Sequence, residues 1–306
     1  MSSVVQRSFA SQKIIGVVFA FIAAIGFSAK AIMVKLAYVE GVDAITLLAL
    51  RMAFSVPFFL VVAAYLGTNK SSVSLTGKDK WVVVALGLIG YYLASYLDFM
   101  GLQFVSAGLE RLILFLYPTM VVIISALLYK HRVGRTEFLA LFVSYAGITL
   151  VFLHDMRVPQ HDALRGSILV FASALAYAIY LVGAGQIISK LGATRFTAYV
   201  MLVACAACLL QFAVTHTLAD LKLSSRVYGL SVAMAIFSTV LPAFLLAVAI
   251  KRIGSTYTAM VGSIGPVSTI YLAYIFLNEQ LSLVQISGSI LVLAGVLMIS
   301  LKKTSV

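Results

Sequence analysis

Five ionisable residues lie inside long apolar stretches of the chain, where a charged side chain is costly. They are Lys30, Arg51, Asp98, Glu110 and Arg111. If these stretches cross a bilayer, such residues are expected to face a cavity or a charged partner. A guanidinium group can hold a carboxylate through two parallel hydrogen bonds, and a buried acid can meet an ammonium group, so the set could recognise a zwitterion. The alternative is mutual pairing, in which Asp98 and Glu110 neutralise two of the three cations, or snorkelling of the side chains towards the interface.

Tyrosines recur near these charges at helical spacing. Residues at i, i+4 and i+7 share one face of a helix. Three stripes of this kind combine polar and aromatic residues: Tyr91, Ser95 and Asp98; Glu110, Leu114 and Tyr117; and Ser173, Tyr177 and Tyr180. Tyr91 and Tyr177 are the main candidates to line a cavity and stack on a substrate. Aromatic residues also pack cores and form belts at membrane interfaces, so packing is the alternative for both.

Two prolines are candidate hinges. Pro118 and Pro266 both fall within apolar stretches and are separated by 148 residues. A proline inside a helix removes one backbone hydrogen bond and favours a kink. The pair could therefore mark two related bending points, with static kinks as the alternative.

The sequence contains no signature of metal, redox or ATP chemistry. The four histidines lie in loops or at the ends of apolar stretches, and no H-E-x-x-H zinc pattern or phosphate-binding loop is found. Cys205 and Cys208 share one apolar stretch without an acid or histidine, so we interpret them as core residues. We predict no catalytic residue, no metal and no cofactor, which disfavours a membrane-embedded transferase.

Composition indicates the elements that must position these residues. The chain has 306 residues, of which 62% are hydrophobic and 10% charged, against about 45–50% and about 25% in soluble domains. A soluble protein of this size could not bury so much apolar surface, so lipid is the expected solvent. A helix needs about 20 apolar residues to cross the hydrocarbon core. We predict ten transmembrane helices in an all-α membrane protein, at 14–34, 45–66, 81–102, 107–128, 138–153, 168–188, 198–214, 227–250, 256–277 and 283–301.

The loop charges predict an orientation. With a cytoplasmic N-terminus, the cytoplasmic segments hold 14 Lys or Arg and two acids, whereas the outer segments hold five cations and six acids. Because Lys and Arg mark cytoplasmic loops, both termini are predicted to be cytoplasmic. All five charges within the spans then lie in the outer half of the membrane. The first stretch contains Lys30 and is interpreted as a retained helix rather than a signal peptide. The net charge of +12 reports this orientation and predicts no nucleic-acid partner.

The chain matches itself weakly at an offset of 148 residues. Pro118 aligns with Pro266, and Ala-Gly-Ile at 146–148 aligns with Ala-Gly-Val at 294–296. Each half holds five predicted spans, so the second copy must enter the membrane upside down. The basic loop at 130–132 corresponds to an acidic loop at Glu279, as inversion requires. We predict two inverted five-helix repeats, residues 1–156 and 157–306.

The end of the second half also resembles a known family. Pro266, Asn278-Glu279, Gln285, Gly288 and the Ala-Gly-Val at 294–296 resemble the end of an EamA-type domain of the drug/metabolite transporter superfamily. The first half is similar at Pro118 and Gly147, although Lys130-His131 replaces the acidic pair. The resemblance covers both halves and implies a bacterial inner-membrane exporter of small metabolites, with ten helices around a central cavity. The aromatic residues look most like those of the aromatic amino acid exporter branch.

These observations together predict a secondary transporter. The expected activity is export of amino acids, including aromatic ones, or related small metabolites by alternating access, with Lys30, Arg51, Tyr91, Asp98, Glu110, Arg111 and Tyr177 as candidate substrate-binding residues. The expected partners are a small-molecule substrate and the lipid bilayer. A nucleotide-sugar or phosphorylated-metabolite carrier is the alternative, although it would favour more cavity cations. Asp98 and Glu110 could titrate for proton coupling, and facilitated diffusion remains the alternative.

Overall fold

The computed structural model describes residues 3–67, 76–129, 134–155, 162–262, 264–280 and 282–301. Across these ranges the structure is helical and contains no strand. The described α-helices are α1 (Ser3–Val39), α2 (Ala44–Gly67), α3 (Gly77–Gly87), α4 (Ala94–Leu102), α5 (Ala107–Leu114), α6 (Tyr117–Tyr129), α7 (Arg135–Asp155), α8 (Ala163–Leu191), α9 (Ala193–Thr215), α10 (Ser225–Ala235), α11 (Leu241–Gly262), α12 (Ile264–Leu277) and α13 (Leu283–Leu301). The basic loop at 130–132 and the predicted repeat boundary at 156 and 157 lie outside the described residues.

The helices have the length and composition of membrane spans. Seven helical segments in the described ranges are long and apolar enough to cross a bilayer, and three shorter apolar helices cover Phe138–His154, Ile264–Leu277 and Leu283–Gly295. Large apolar side chains such as Val61, Phe142 and Phe276 are more than half exposed. Such surfaces suit lipid rather than water. The all-α membrane class is thus supported, while the count of ten spans in an inverted repeat stays a prediction.

Two spans contain a wide helical turn at related positions. A π-helical segment at Leu88–Leu93 joins α3 to α4, and a second at Ile236–Val240 joins α10 to α11. The two segments begin 148 residues apart, which is the offset of the weak sequence repeat. A π-helical turn shifts the register of the residues before it relative to those after it, and it often marks a functional site.

The predicted fourth span is not one continuous helix. It is interrupted at Phe115 and Leu116, between α5 and α6, although the segment Ala107–Ser125 as a whole is long and apolar enough to span a membrane. Pro118 is the second residue of α6 and Pro266 the third residue of α12. A proline fits the first turn of a helix because the N–H that it lacks would have no partner there. Pro118 therefore starts a helix after a break instead of kinking one in its middle, whereas residue 263, which precedes α12, lies outside the described residues.

Both α11 and α12 pack against α1. Gly26 lies against Pro242 whereas Gly16 lies against Ile253, so this part of the chain runs antiparallel to α1. Ser28 donates a hydrogen bond to the carbonyl oxygen of Gly265 at 2.9 Å, which places the start of α12 beside α1. The predicted linker between 250 and 256 is not an irregular loop, because α11 keeps helical hydrogen bonding through it.

Glycines allow the helices to approach closely in two places. A Cβ atom added to Gly288 on α13 would lie 2.7 Å from the carbonyl oxygen of Gly147 on α7, and one added to Gly166 on α8 would lie 3.0 Å from that of Gly101 on α4. Small residues at such contacts are typical of packing between membrane helices. The largest buried core surrounds α1, α2, α4 and α9, which places the charged residues of α1, α2 and α4 inside the protein.

Candidate substrate-binding site

Three of the predicted residues form one buried ionic cluster. The ammonium group of Lys30 on α1 contacts Asp98 Oδ2 on α4, and it lies 3.3 Å from Glu110 Oε1 on α5. The side chains of Asp98 and Glu110 are 3% and 0% exposed, and that of Lys30 is 15% exposed. Two acids therefore share a single cation. Pairing of each acid with its own cation, which the sequence left open, does not occur in the structure.

Local hydrogen bonds fix the helices that carry this cluster. The hydroxyl of Tyr38 on α1 donates to the carbonyl oxygen of Phe99, next to Asp98, at 2.7 Å. Ser106 caps the start of α5 by accepting a hydrogen bond from the amide of Leu109 at 3.0 Å. Glu279 accepts a hydrogen bond from the amide of Ala107 at 3.1 Å. The first turn of α5 is thus held from both halves of the chain, and that turn carries Glu110.

Arg51 lies apart from the ionic cluster. Its residue is 5% exposed, its guanidinium carbon lies 5.0 Å from the ring centre of Phe99, and Nη2 lies 3.4 Å from Ser95 Oγ. Within the described residues no carboxylate lies within 4.0 Å of Arg51, and its Nε has no hydrogen-bond partner. A stacking contact with Phe99 offsets only part of the cost of such burial.

Arg111 reaches across to the second half of the chain. A Cβ atom added to Gly265 on α12 would lie 2.7 Å from Arg111 Nη2, so the absence of a side chain at Gly265 makes room for the guanidinium group. Among the described residues Arg111 also has no carboxylate within 4.0 Å, and its Nε has no hydrogen-bond partner. A half-buried guanidinium group without a nearby carboxylate has N–H donors available for an anionic ligand.

A cluster of tyrosines lies next to Arg111. Tyr177 on α8 is the centre: its ring lies 6.3 Å from Tyr91, 5.2 Å from Tyr117 and 5.6 Å from Tyr180, measured between ring centres. Tyr91 packs edge-on against Tyr180 at 5.1 Å. Arg111 is an electrostatic neighbour of both Tyr117 and Tyr177. A guanidinium group beside aromatic rings forms a surface suited to a ligand that carries a ring next to a carboxylate.

In the structure, the predicted site residues form an ionic cluster and a separate tyrosine cluster, a division that the sequence spacing does not predict. Lys30, Asp98 and Glu110 come together, and so do Tyr91 and Tyr177. A π-helical turn lies within the predicted stripe of Tyr91, Ser95 and Asp98. Tyr91 contacts Tyr180 on α8, whereas Asp98 contacts Lys30 on α1. The break after Leu114 likewise interrupts the predicted stripe ending at Tyr117.

Three participants were missing from the set of candidate residues. Tyr117 and Tyr180 complete the aromatic cluster, and Gly265 makes room for Arg111. The two tyrosines occur in the helical stripes, so their spacing was an available signal. Two apolar grooves lie elsewhere, lined on α7 by residues such as Thr149 and Phe152, and neither includes a charged side chain. No group of three metal-ligating side chains occurs in the part of the chain that the structure describes.

Comparison with known proteins identifies the family. Residues 14–153 and 164–301 each match the model of the EamA-like transporter family. The chain belongs to the EamA-like transporter family. A relative from Bacillus subtilis, the uncharacterized transporter YcbK, is 30% identical over 280 residues, covering 89% of this chain and 88% of its own. An uncharacterized transporter from Archaeoglobus fulgidus is 24% identical over 87% of this chain and 91% of its own.

A solved structure shares the fold of this EamA-like transporter. The structure, described as a crystal structure of a protein, superposes with a TM-score of 0.65 at 18% identity and covers 97% of this chain and 99% of that one. At this identity the likeness concerns the fold alone. Together with the family match, the apolar helices indicate a multi-pass membrane transporter of the drug/metabolite transporter superfamily.

Proposed function

We propose that this protein is a secondary transporter that exports amino acids, aromatic ones included, and related small carboxylates across the bacterial inner membrane. The observation that carries the proposal is Arg111, whose guanidinium group lacks a carboxylate within 4.0 Å among the described residues and lies beside Tyr117 and Tyr177. The guanidinium fork can bind a carboxylate through two hydrogen bonds. The neighbouring tyrosine rings can stack on an aromatic side chain.

The duplicated π-helical turns support alternating access by two inverted repeats, residues 1–156 and 157–306. The two π-helical segments begin at Leu88 and Ile236, which are 148 residues apart. Arg111 contacts the backbone of α12 at Gly265, so a substrate held there would bridge the two halves. Rocking of one half against the other would then expose the same site to each side in turn. In this scheme Pro118 and Pro266 act as hinges.

The peripheral ion pairs support the predicted alternation of the loops between two sides of the membrane, whereas the loop charges alone support placing both termini in the cytoplasm. Asp79 pairs with Lys190 at 2.8 Å, and both belong to segments predicted to be cytoplasmic. Glu40 pairs with Arg226 at 3.0 Å, and both belong to segments predicted to be outside. Residues that the loop charges assign to one face thus meet one another, as a correct assignment requires.

Transport by purified protein in liposomes tests the substrate class. The labelled panel contains L-phenylalanine, L-tyrosine, L-alanine, L-glutamate and UDP-glucose. We expect movement of aromatic amino acids, and we expect Arg111→Lys to raise KM at least about tenfold, because an ammonium group cannot replace the bidentate fork. The matched control is Arg226→Lys, whose side chain is 61% exposed and should leave KM within about twofold.

Two results would overturn the proposal. Movement of UDP-glucose without any amino acid would favour the nucleotide-sugar alternative. An unchanged KM in a well-folded Arg111→Lys protein would remove Arg111 from carboxylate binding.

A further inference from the structure

We propose that Glu110 and Asp98 share one exchangeable proton and that this proton is the coupling ion of the transporter. The coupling part rests on the proposed function, whereas the protonation can be measured without any substrate. The starting point is the charge count of the buried cluster, in which two carboxyl groups contact one ammonium group. If both acids were ionised, the cluster would carry one negative charge more than Lys30 can neutralise.

The burial of Glu110 makes this imbalance costly. Its side chain is fully buried, and apart from the ammonium group of Lys30, 3.3 Å from Oε1, neither of its carboxyl oxygens meets a hydrogen-bond donor among the described residues. Asp98 Oδ1 is also buried and has no hydrogen-bond partner among the described residues. An ionised carboxylate without hydrogen bonds in an apolar interior costs several kcal/mol, and a proton on one of the two acids removes this cost.

The second acid can accept the hydrogen bond that the proton creates. Asp98 and Glu110 both contact the ammonium group of Lys30, so their carboxyl groups are neighbours. A proton on Glu110 would therefore be donated to an oxygen of Asp98, while Lys30 remains paired with Asp98. Two carboxyl groups that share a proton are a common arrangement where like charges are forced together.

The other charged groups around the cluster do not replace this proton. On α5 itself, Arg111 acts on Glu110, but its guanidinium group is packed against Gly265 on α12. On α1, Lys35 interacts electrostatically with Glu279 more strongly than with Glu110. On α2, Arg51 acts on Asp98 but has no carboxylate within 4.0 Å among the residues described.

The remaining helices packed against α5 present uncharged groups near this region. Tyr177 belongs to α8, Thr269 to α12 and Gln285 to α13, and Tyr145 belongs to α7. A proton on one of the two acids would thus neutralise the negative charge that Lys30 leaves unpaired.

The placement of the cluster suits coupling to transport. Glu110 and Arg111 are consecutive residues on α5, so a substrate carboxylate at Arg111 lies close to the shared proton. The ammonium group of the same amino acid would then lie near Asp98 and Glu110, and its positive charge favours loss of the shared proton. Return of the proton in turn favours release of the substrate. Because the proton and the substrate compete for the two acids, proton entry from the outer side would be linked to substrate exit.

Infrared spectroscopy of the purified, lipid-reconstituted protein tests the shared proton directly. We expect the carbonyl stretch of a protonated carboxyl group at neutral pH, lost when the sample is made alkaline. Glu110→Gln should remove this band. Asp98→Asn should also remove it at neutral pH, because one carboxylate then faces one ammonium group and stays ionised. Asp79→Asn, which changes an acid outside the cluster, should leave it in place.

The outcomes separate the two proposals. Absence of the band in the wild-type protein, or its persistence in Asp98→Asn, would overturn the shared proton even if Glu110→Gln failed to fold. In liposomes loaded with labelled L-phenylalanine, an inward proton gradient should accelerate efflux, and any residual efflux of Glu110→Gln should not respond to the gradient. A response equal to that of the wild type would overturn the coupling. If no compound of the panel moves, the proposed function fails while the infrared result still decides the protonation.

Discussion

At the scale of single residues, the five buried charges fall into two kinds. Lys30, Asp98 and Glu110 form ion pairs in which one cation partly neutralises two acids. Arg51 and Arg111 have no carboxylate within 4.0 Å in the described part of the chain. A paired cluster holds helices together, and an unpaired cation keeps its donors available for a ligand. The two kinds therefore call for different experiments, one on stability and one on substrate affinity.

Removal of the shared cation should destabilise the protein strongly. Lys30→Met leaves two buried acids without a positive partner, so we expect a loss of about 3–5 kcal/mol in the free energy of unfolding. The measurement is denaturant unfolding of the purified protein at neutral pH. The triple variant Lys30→Met, Asp98→Asn, Glu110→Gln removes all three charges and should recover much of the loss.

An exposed ion pair provides the matched control for this prediction. Arg226 pairs with Glu40 but its side chain is 61% exposed, so Arg226→Met should cost less than about 1 kcal/mol. Equal losses in the Lys30 and Arg226 variants would mean that the buried cluster does not stabilise the fold.

At the scale of helices, the sequence predicts the spans well and their interruptions poorly. Hydropathy sums over many residues, so the start of α5 at Ala107 and the start of α13 at Leu283 agree with the predicted starts of the fourth and tenth spans. The π-helical turn at Leu88–Leu93 depends on packing against α8 and α9, and a one-dimensional pattern does not contain that information. For the same reason the sequence shows which charged residues lie within the spans, but it does not show which of them form ion pairs. Which acid meets Lys30 depends on the relative rotation of three helices.

The contact between α7 and α13 should depend on its glycines. A Cβ atom added at Gly288 would lie 2.2 Å from Val151 Cγ2 and 2.7 Å from the carbonyl oxygen of Gly147. Since the backbone cannot move away cheaply, we expect Gly288→Ala to cost about 1–3 kcal/mol in unfolding free energy. Gly229 on α10 has no atom within 4 Å of an added Cβ, so Gly229→Ala should be neutral or stabilising by up to about 1 kcal/mol. A neutral Gly288→Ala would show that the two helices can separate without loss.

At the scale of the whole molecule, the charge distribution and the repeat together predict how the two halves insert into the membrane. The basic excess lies in segments assigned to one side of the membrane, and in the predicted topology it directs the insertion of the first half. With five predicted spans in each half, the second half is then predicted to insert in the opposite sense. The proximity of Arg111 to Gly265 places residues of the two halves side by side, and it does not depend on which side of the membrane is cytoplasmic.

Cysteine labelling in intact cells tests that insertion. Lys222 and Lys80 are both exposed, and the loop charges assign Lys222 to the outside and Lys80 to the cytoplasm. A membrane-impermeant maleimide should therefore label Lys222→Cys in intact cells, and it should label Lys80→Cys only after permeabilisation. The native Cys205 and Cys208 are each 1% exposed, so the unmodified protein is the unlabelled control. Labelling of Lys80→Cys but not Lys222→Cys in intact cells would invert the orientation. The buried charges would then lie in the cytoplasmic half of the membrane, and protons would reach Glu110 from the cytoplasm instead of from outside.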